Sequence, residues 1–185
     1  MNGREGVSVR RIISVCCWLA CAGLFSSCGT QVSGGAFSSD DYPFSFEYPA
    51  DWTLTQSGPE ASSSGTVTAA LREPLDQVQL TSFRMKKSIP ATARGNQSEA
   101  DAIVQRVAAR TGGSVGVGKP VTYGGSNGFR YIVEYSNGGM NKLRARLVFL
   151  FHGEMLVQIN CQSSLENRKQ LAAGCNEILD SLKLK

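Results

Sequence analysis

The side chains that could take part in catalysis here are a serine in a glycine-rich motif and a single histidine. The segment 112–116, GGSVG, matches the G-x-S-x-G pattern that carries the nucleophile of many serine hydrolases. That chemistry needs a strand before the serine and a helix after it, whereas a predicted helix precedes Ser114. His152 lies in a predicted turn, where an imidazole is usually solvated. We therefore expect no enzyme activity.

Charge and composition exclude several other function classes. The chain has 19 basic and 15 acidic residues, a net charge of +4, which is too small for the basic face that nucleic-acid binding needs. A single histidine excludes a metal site built on two imidazoles. The sequence contains no phosphate-binding loop, no dinucleotide fingerprint and no pair of carboxylates at a useful spacing. No cofactor, no metal and no nucleic-acid partner are predicted.

The first 27 residues have the pattern of an export signal. Residues 1–11 contain Arg4, Arg10 and Arg11 against one acid, and the apolar run 12–25 follows them. This run is shorter than the roughly 20 residues that a helix needs to span the hydrocarbon core of a bilayer. A basic segment followed by a short apolar run predicts a signal peptide over 1–27.

A cysteine stands directly after this run. Residues 25–29, FSSCG, resemble the lipobox of bacterial lipoproteins, in which small residues precede a cysteine that is lipidated and becomes the mature N-terminus. The resemblance implies acylation of Cys28 and hence membrane lipid as a partner, because two or more acyl chains give stable anchoring. The expected location is the extracytoplasmic face of the cell membrane. Cys21 is the rival acceptor, and an ordinary or uncleaved signal segment is the other alternative.

Removal of the signal peptide and lipidation of Cys28 would leave two cysteines, Cys161 and Cys175. In an exported chain such a pair predicts one disulfide, here closing a loop of about 15 residues, with reduced core thiols as the alternative. The bond requires the two Cα atoms to lie within about 7 Å. Because Cys161 should end a strand and Cys175 should lie on a helix, the connection must turn back or the helix must begin late.

The remaining sequence predicts a linker and one folded domain. Residues 28–41 are rich in glycine and serine without periodicity, so we expect a flexible tether. The domain 42–185 opens with aromatic residues at alternate positions, which is typical of a half-buried strand, and a turn is expected at 49–51. Further strands are predicted at 66–71, 77–85, 119–123, 128–136, 141–152 and 155–161, with hairpin turns at 127–128, 137–139 and 152–154.

Two helices interrupt these strands. Apolar residues at positions 100, 103, 104, 107 and 108 form one helical stripe, Ser98 and Asp101 resemble a capping box, and residues 111–113 end the helix. A second helix is predicted at 165–182, with Cys175 on its inner stripe. Antiparallel strands with two helices predict an α+β fold, an antiparallel β-sheet packed with two main helices.

Two segments of this domain resemble a known family. Residues 44–52, FSFEYPADW, and 176–182, NEILDSL, are similar to PsbP-like domains, a family that includes extrinsic photosystem proteins and actinobacterial lipoproteins of the mycobacterial Lpq type. The resemblance implies an α/β sandwich and a non-catalytic binding or assembly module whose partner is an envelope protein or ligand. It supplies no catalytic residues for this chain. The alternative function is a small cell-envelope hydrolase.

The strongest polar pattern is a row of cations on one predicted strand. Lys142, Arg144 and Arg146 alternate in sequence and therefore project from one face of the sheet. Arg130 joins them from the neighbouring strand if the register allows it. Two interpretations stay open. The row is either a patch for an anionic headgroup, a cell-wall polymer or an acidic partner, or a solvated face partly balanced by Glu134.

Overall fold

The computed structural model describes residues 32–58, 64–85, 93–137 and 141–185. This part of the chain is mostly antiparallel sheet, 60% strand, with two helices. The α+β prediction is therefore confirmed in outline, although sheet outweighs helix. The elements are β1 (Val32–Ser38), β2 (Phe44–Ser57), β3 (Ser64–Arg72), β4 (Asp76–Arg84), α1 (Ala93–Thr111), β5 (Ser114–Val115), β6 (Lys119–Tyr123), β7 (Ser126–Asn137), β8 (Asn141–His152), β9 (Met155–Ser164), α2 (Arg168–Ser181) and β10 (Lys183–Leu184).

The strands form one sheet in the order β1-β2-β3-β4-β9-β8-β7. Strands β5 and β6 both pair with β7, and β10 pairs with β2. The long hairpins β3-β4, β7-β8 and β8-β9 explain this order, because consecutive strands separated by only a few residues pair as neighbours. The predicted signal segment, Cys28 and most of the predicted turn at 137–139 lie outside the described residues.

The two faces of the sheet carry separate cores. Along β8, Val148 and Leu150 belong to one buried cluster and Leu147 and Phe149 to the other, as alternation along a strand requires. Helix α2 covers the first cluster and helix α1 the second. The aromatic row of the opening strand is buried in the α2 cluster, as predicted, and consists of Tyr42, Phe44, Phe46 and Tyr48.

Two predictions about the start of the domain are wrong. Residues 32–38, expected to belong to a flexible tether, form β1, whose Phe37 is 4% exposed and packs in the aromatic cluster. The expected turn at 49–51 is absent because β2 runs through it. Instead the pairing with β1 shifts there, since Gly35 pairs with Tyr48 and Ser33 with Thr53. Four residues of β2 therefore stand opposite one residue of β1, and this irregularity in the pairing tolerates proline.

The turn predicted at 127–128 is also displaced. Gly124 and Gly125 make it instead, with φ of 54° and 74°, because a two-residue hairpin turn of this type needs positive φ at both positions. Gly128 lies within β7, where an added Cβ would stand 1.9 Å from the Phe149 carbonyl oxygen. That glycine permits the close approach of two backbones. The turn at 152–154 forms as predicted, with Gly153 at φ 57°.

Both helices form, with shifted starts. Helix α1 begins at Ala93, five residues before Ser98, so Ser98 lies within the helix and not at its N-cap as the capping box predicted. Asp101 accepts a hydrogen bond from the Tyr131 hydroxyl at 2.6 Å and so ties α1 to β7. Helix α2 begins at Arg168, three residues later than predicted, after a bend that follows β9. Neither helix of the described chain is long and apolar enough to cross a membrane.

A basic cleft beside helix α2

Four cations project from one face of β7 and β8. In the register of this hairpin, Lys142 pairs with Ser136, Arg144 with Glu134, and Arg146 with Ile132. Arg130 pairs with Val148, two positions beyond Arg146, so it lies on the same face as the cations of β8. The sequence left this register open.

Helix α2 brings two more cations to this face. Its first residues, Arg168 and Lys169, meet Arg144 and Arg146 across a cleft of about 280 Å³. We call this the basic cleft. Its other lining residues are Ile132, Cys161, Ser163, Leu171, Ala172 and Cys175. Sequence reasoning missed Arg168 and Lys169, although cations in the first turn of a helix are a signal, since that end prefers acids.

A buried carboxylate fixes the entry into α2. Asp76 on β4 is fully buried and accepts hydrogen bonds from the Ser164 backbone N–H and the Asn167 side-chain amide, both at 2.7 Å. Arg72 lies 3.3 Å from the same carboxylate. Burial alone would raise the pKa of Asp76, but the hydrogen bonds of Asn167 and Ser164 and the charge of Arg72 outweigh it and lower the pKa. The charged carboxylate therefore holds the segment that leads into the helix.

A disulfide also holds helix α2 against the sheet. Cys161 and Cys175 are bonded, with Cα atoms 6.0 Å apart, which confirms the predicted pair. Helix α2 begins late, at Arg168, which is one of the two geometries that the distance argument allowed. Cys161 pairs directly with Arg146 in the β8-β9 ladder, so the bond anchors α2 beside the cationic row.

Close packing brings α2 down onto the sheet. Gly174 faces the indole of Trp52, and an added Cβ would lie 2.4 Å from a ring carbon. Trp52 is 1% exposed and cannot move aside easily. The glycine therefore sets the distance between α2 and β2.

The charges in the basic cleft are only partly compensated. No acid is among its described lining residues, and four of them are cations. Arg144 lies 3.8 Å from Glu134 outside the lining, and Arg146 donates to the Asn176 side-chain oxygen at 2.6 Å. Among the described residues, the buried Nε of Arg168 has no hydrogen-bond partner. A buried donor without a partner costs free energy that an anionic acceptor would recover.

The pKa of Arg146 reflects the same excess of positive charge. Burial lowers the pKa of Arg146, the charge of Arg130 adds to this effect, Tyr123 opposes it, and Arg144 lowers the pKa further. Arginine stays protonated at physiological pH in spite of such a shift. The cleft is therefore a half-buried concentration of positive charge.

A wider polar groove adjoins the basic cleft and shares Arg168 with it. Its volume is about 630 Å³. We call it the polar groove. It is lined by Thr111, Gly112, Gly113, Ser114, Glu134, Tyr135, Ser136, Lys142, Leu143, Leu165 and Arg168.

The two residues of the hydrolase alternative lie far apart. Ser114 pairs with Glu134 on β7, whereas His152 lies at the far end of β8, beside the start of β7. Eight residues of strand separate these places, roughly 27 Å. The Nδ1 atom of His152 instead lies 2.8 Å from the Oγ of Ser126, a contact that no sequence motif marked. Ser126 is 5% exposed, and no described carboxylate forms an ion pair with His152.

Comparison with known proteins identifies the fold. No protein-family model and no curated protein matches the sequence. Among solved structures, the chain is similar to cyanobacterial PsbP (CyanoP) from Synechocystis sp. PCC 6803, with a TM-score of 0.59 and 11% identity over 88% of this chain and 100% of that one. The described domain therefore has a PsbP-like fold.

Two further structures are similar. A Bacteroides thetaiotaomicron protein matches with a TM-score of 0.50 and 16% identity over 83% of this chain, which spans 49% of that protein. LpqN of Mycobacterium tuberculosis, described as involved in cell envelope biogenesis, matches with a TM-score of 0.48 and 16% identity over 84% of this chain and 90% of that one.

Proposed function

We propose that this protein is an exported, lipid-anchored, non-catalytic module that binds an anionic ligand in the basic cleft at the outer face of a membrane. The observation that carries the proposal is the meeting of Arg144 and Arg146 with Arg168 and Lys169 in a cleft with no acid among its described lining residues. An ordinary solvated face would leave such cations apart and hydrated. Here two structural elements converge on one concave site, which is typical of ligand recognition.

Anchoring is the second part of the proposal and rests on the sequence. The lipobox-like segment before Cys28 supports acylation, and the predicted disulfide, present in the structure, is typical of exported proteins. Cys28→Ala should move the full-length protein from the membrane to the soluble fraction of expressing cells. Cys21→Ala is the matched control and should stay on the membrane. Membrane retention of the Cys28 variant, or an unacylated product by intact mass, would contradict the anchor.

Anion binding is tested by thermal unfolding of the full-length protein with increasing inorganic phosphate at constant ionic strength. A ligand that binds only the folded state raises the melting temperature, and a concentration of 100 Kd adds about 2.7 kcal/mol. The double variant Arg144→Gln and Arg146→Gln should lose this rise. Arg106→Gln with Arg110→Gln is the control, because it removes the same charge from an exposed surface of α1 on the other side of the sheet. Equal rises in both double variants would contradict the site.

A hydrolase remains the second candidate because Ser126 and His152 are in hydrogen-bond contact. A serine–histidine pair is the core of nucleophilic activation. We expect no labelling of the protein by a fluorophosphonate probe, since Ser126 is buried. Labelling that is lost in Ser126→Ala but kept in Ser114→Ala would replace the binding module by an enzyme.

A further inference from the structure

The donors of the basic cleft approach from more than one direction. Arg144 and Arg146 project from strand β8, roughly 7 Å apart along the strand. Arg168 and Lys169 are the first two residues of α2. Ser163, 4% exposed, lines the cleft from β9, and its hydroxyl donates to the Arg144 carbonyl oxygen at 3.4 Å. A carboxylate offers two oxygens in one plane, which a single arginine satisfies from one side. Cationic donors from two elements match a tetrahedral oxyanion better.

The charge of the cleft also favours a phosphate. Four lining cations exceed what one carboxylate neutralises, whereas a phosphate monoester carries about two negative charges near pH 7. The helix end adds to the positive field, because the first turn of α2 contains no acid and Asn167 makes no side-chain cap. Arginine also pairs with phosphate through two parallel hydrogen bonds.

The polar groove indicates what the phosphate is attached to. It continues from the basic cleft through Arg168 and presents the hydroxyls of Ser114 and Ser136, whereas the Thr111 hydroxyl donates to the Val107 carbonyl oxygen at 3.0 Å. Glu134 lies in the same lining, where its carboxylate offsets the charge of Lys142 and can accept hydrogen bonds from the hydroxyls of a ligand. These groups suit an uncharged chain of hydroxyls.

We propose that the ligand is a phosphate ester of a polyhydroxylated group such as a sugar, with the phosphate in the basic cleft and the hydroxyls along the polar groove. This inference rests on the proposed anion site and names its ligand class. A soluble sugar phosphate and the headgroup of a phosphoinositide-type lipid share this chemistry.

Calorimetric titration of the full-length protein tests the class of ligand. Glucose 1-phosphate should bind at least tenfold more tightly than inorganic phosphate, and glucose alone should not bind. Arg146→Gln should weaken both phosphates at least tenfold, whereas Arg106→Gln should change neither. Ser136→Trp, which fills the polar groove, should reduce the affinity for glucose 1-phosphate to that for inorganic phosphate and leave the latter unchanged.

Citrate separates the inference from the proposed function. If citrate binds as tightly as glucose 1-phosphate and Arg146→Gln weakens both, the anion site stands and the phosphate-ester class is wrong. If no anion shows a dependence on Arg146, the proposed function itself is wrong. The sources are distinguished with the full-length Cys28→Ala variant, which carries no acyl anchor, and phosphatidylcholine vesicles that contain or lack phosphatidylinositol 4-phosphate, a phosphate monoester. Retention only on the vesicles that contain this lipid identifies a lipid headgroup, and binding only of the soluble ester identifies a free ligand.

Discussion

Removal of the Cys161–Cys175 disulfide should destabilise the domain and loosen the basic cleft together. The bond joins residues 14 apart in sequence, so it closes a loop of about 15 residues. A loop of this length restricts the unfolded chain by about 3 kcal/mol. Domains of this size are stable by about 5–15 kcal/mol, so the loss is a large fraction of the total. Because α2 carries Arg168 and Lys169, freeing this helix should also weaken phosphate binding.

The assay is urea unfolding of the full-length protein followed by circular dichroism. We compare the oxidised protein, the same protein reduced, and Cys161→Ala with Cys175→Ala. Reduction isolates the crosslink, whereas the double variant also removes two buried sulfur atoms, so it should be the less stable of the two. If reduction lowers the free energy of unfolding by less than about 1 kcal/mol, packing rather than the disulfide holds α2, and the magnitude worked from the loop length is refuted.

Two further substitutions test how α2 is positioned. Gly174→Ala should lower the free energy of unfolding by about 1–3 kcal/mol through overlap with Trp52, although alanine favours a helix. The control is Ala173→Gly, at an exposed position of α2, which should lower the free energy of unfolding by only about 1 kcal/mol. If Gly174→Ala instead stabilises the protein, the packing of Gly174 against the indole is loose. Because the folded state lowers the pKa of Asp76, its contribution is present above pH about 4 and disappears as the pH falls through the folded pKa. The Asp76→Asn variant should therefore have a free energy of unfolding about 1–3 kcal/mol lower at pH 7, and this free energy should fall less steeply as the pH is lowered. Urea unfolding at a series of pH values measures both effects. The same steepness in the variant and the unmodified protein would refute this role of Asp76.

The strands and helices with a clear hydrophobic periodicity could be predicted from the sequence. The aromatic alternation of β2, the helical stripes and the strands at 66–71 and 141–152 all depend on local periodicity, which determines which side chains can be buried together. The disulfide followed from the cysteine count and the predicted compartment, and its geometric requirement left two possibilities, of which a late start of α2 is the one observed. These predictions needed no knowledge of distant contacts.

The predictions that failed depended on contacts distant in sequence. Residues 32–38 have the composition of a linker, and only the free edge of β2 makes them a strand. The Asn127-Gly128 pair has the strongest local hairpin signal, yet Gly128 is needed for contact with the Phe149 backbone. Local propensity is overridden where tertiary packing supplies more free energy.

Only the strand side of the basic cleft was predicted from the sequence. The alternation along β8 gave the row of Lys142, Arg144 and Arg146, because strand geometry alone puts these side chains on one face. Arg168 and Lys169 were missed since their place opposite the row depends on how the disulfide and Asp76 bring α2 onto the sheet. A concave site built by two elements is visible only once their packing is known.

Backbone amide chemical shifts of the full-length protein, recorded while glucose 1-phosphate is added, test the central claim most directly. The amides of Arg144, Arg146 and the first turn of α2 should shift most and saturate together, since they surround the basic cleft. Saturating shifts confined to α1, or none at all, would contradict an anion site in this cleft.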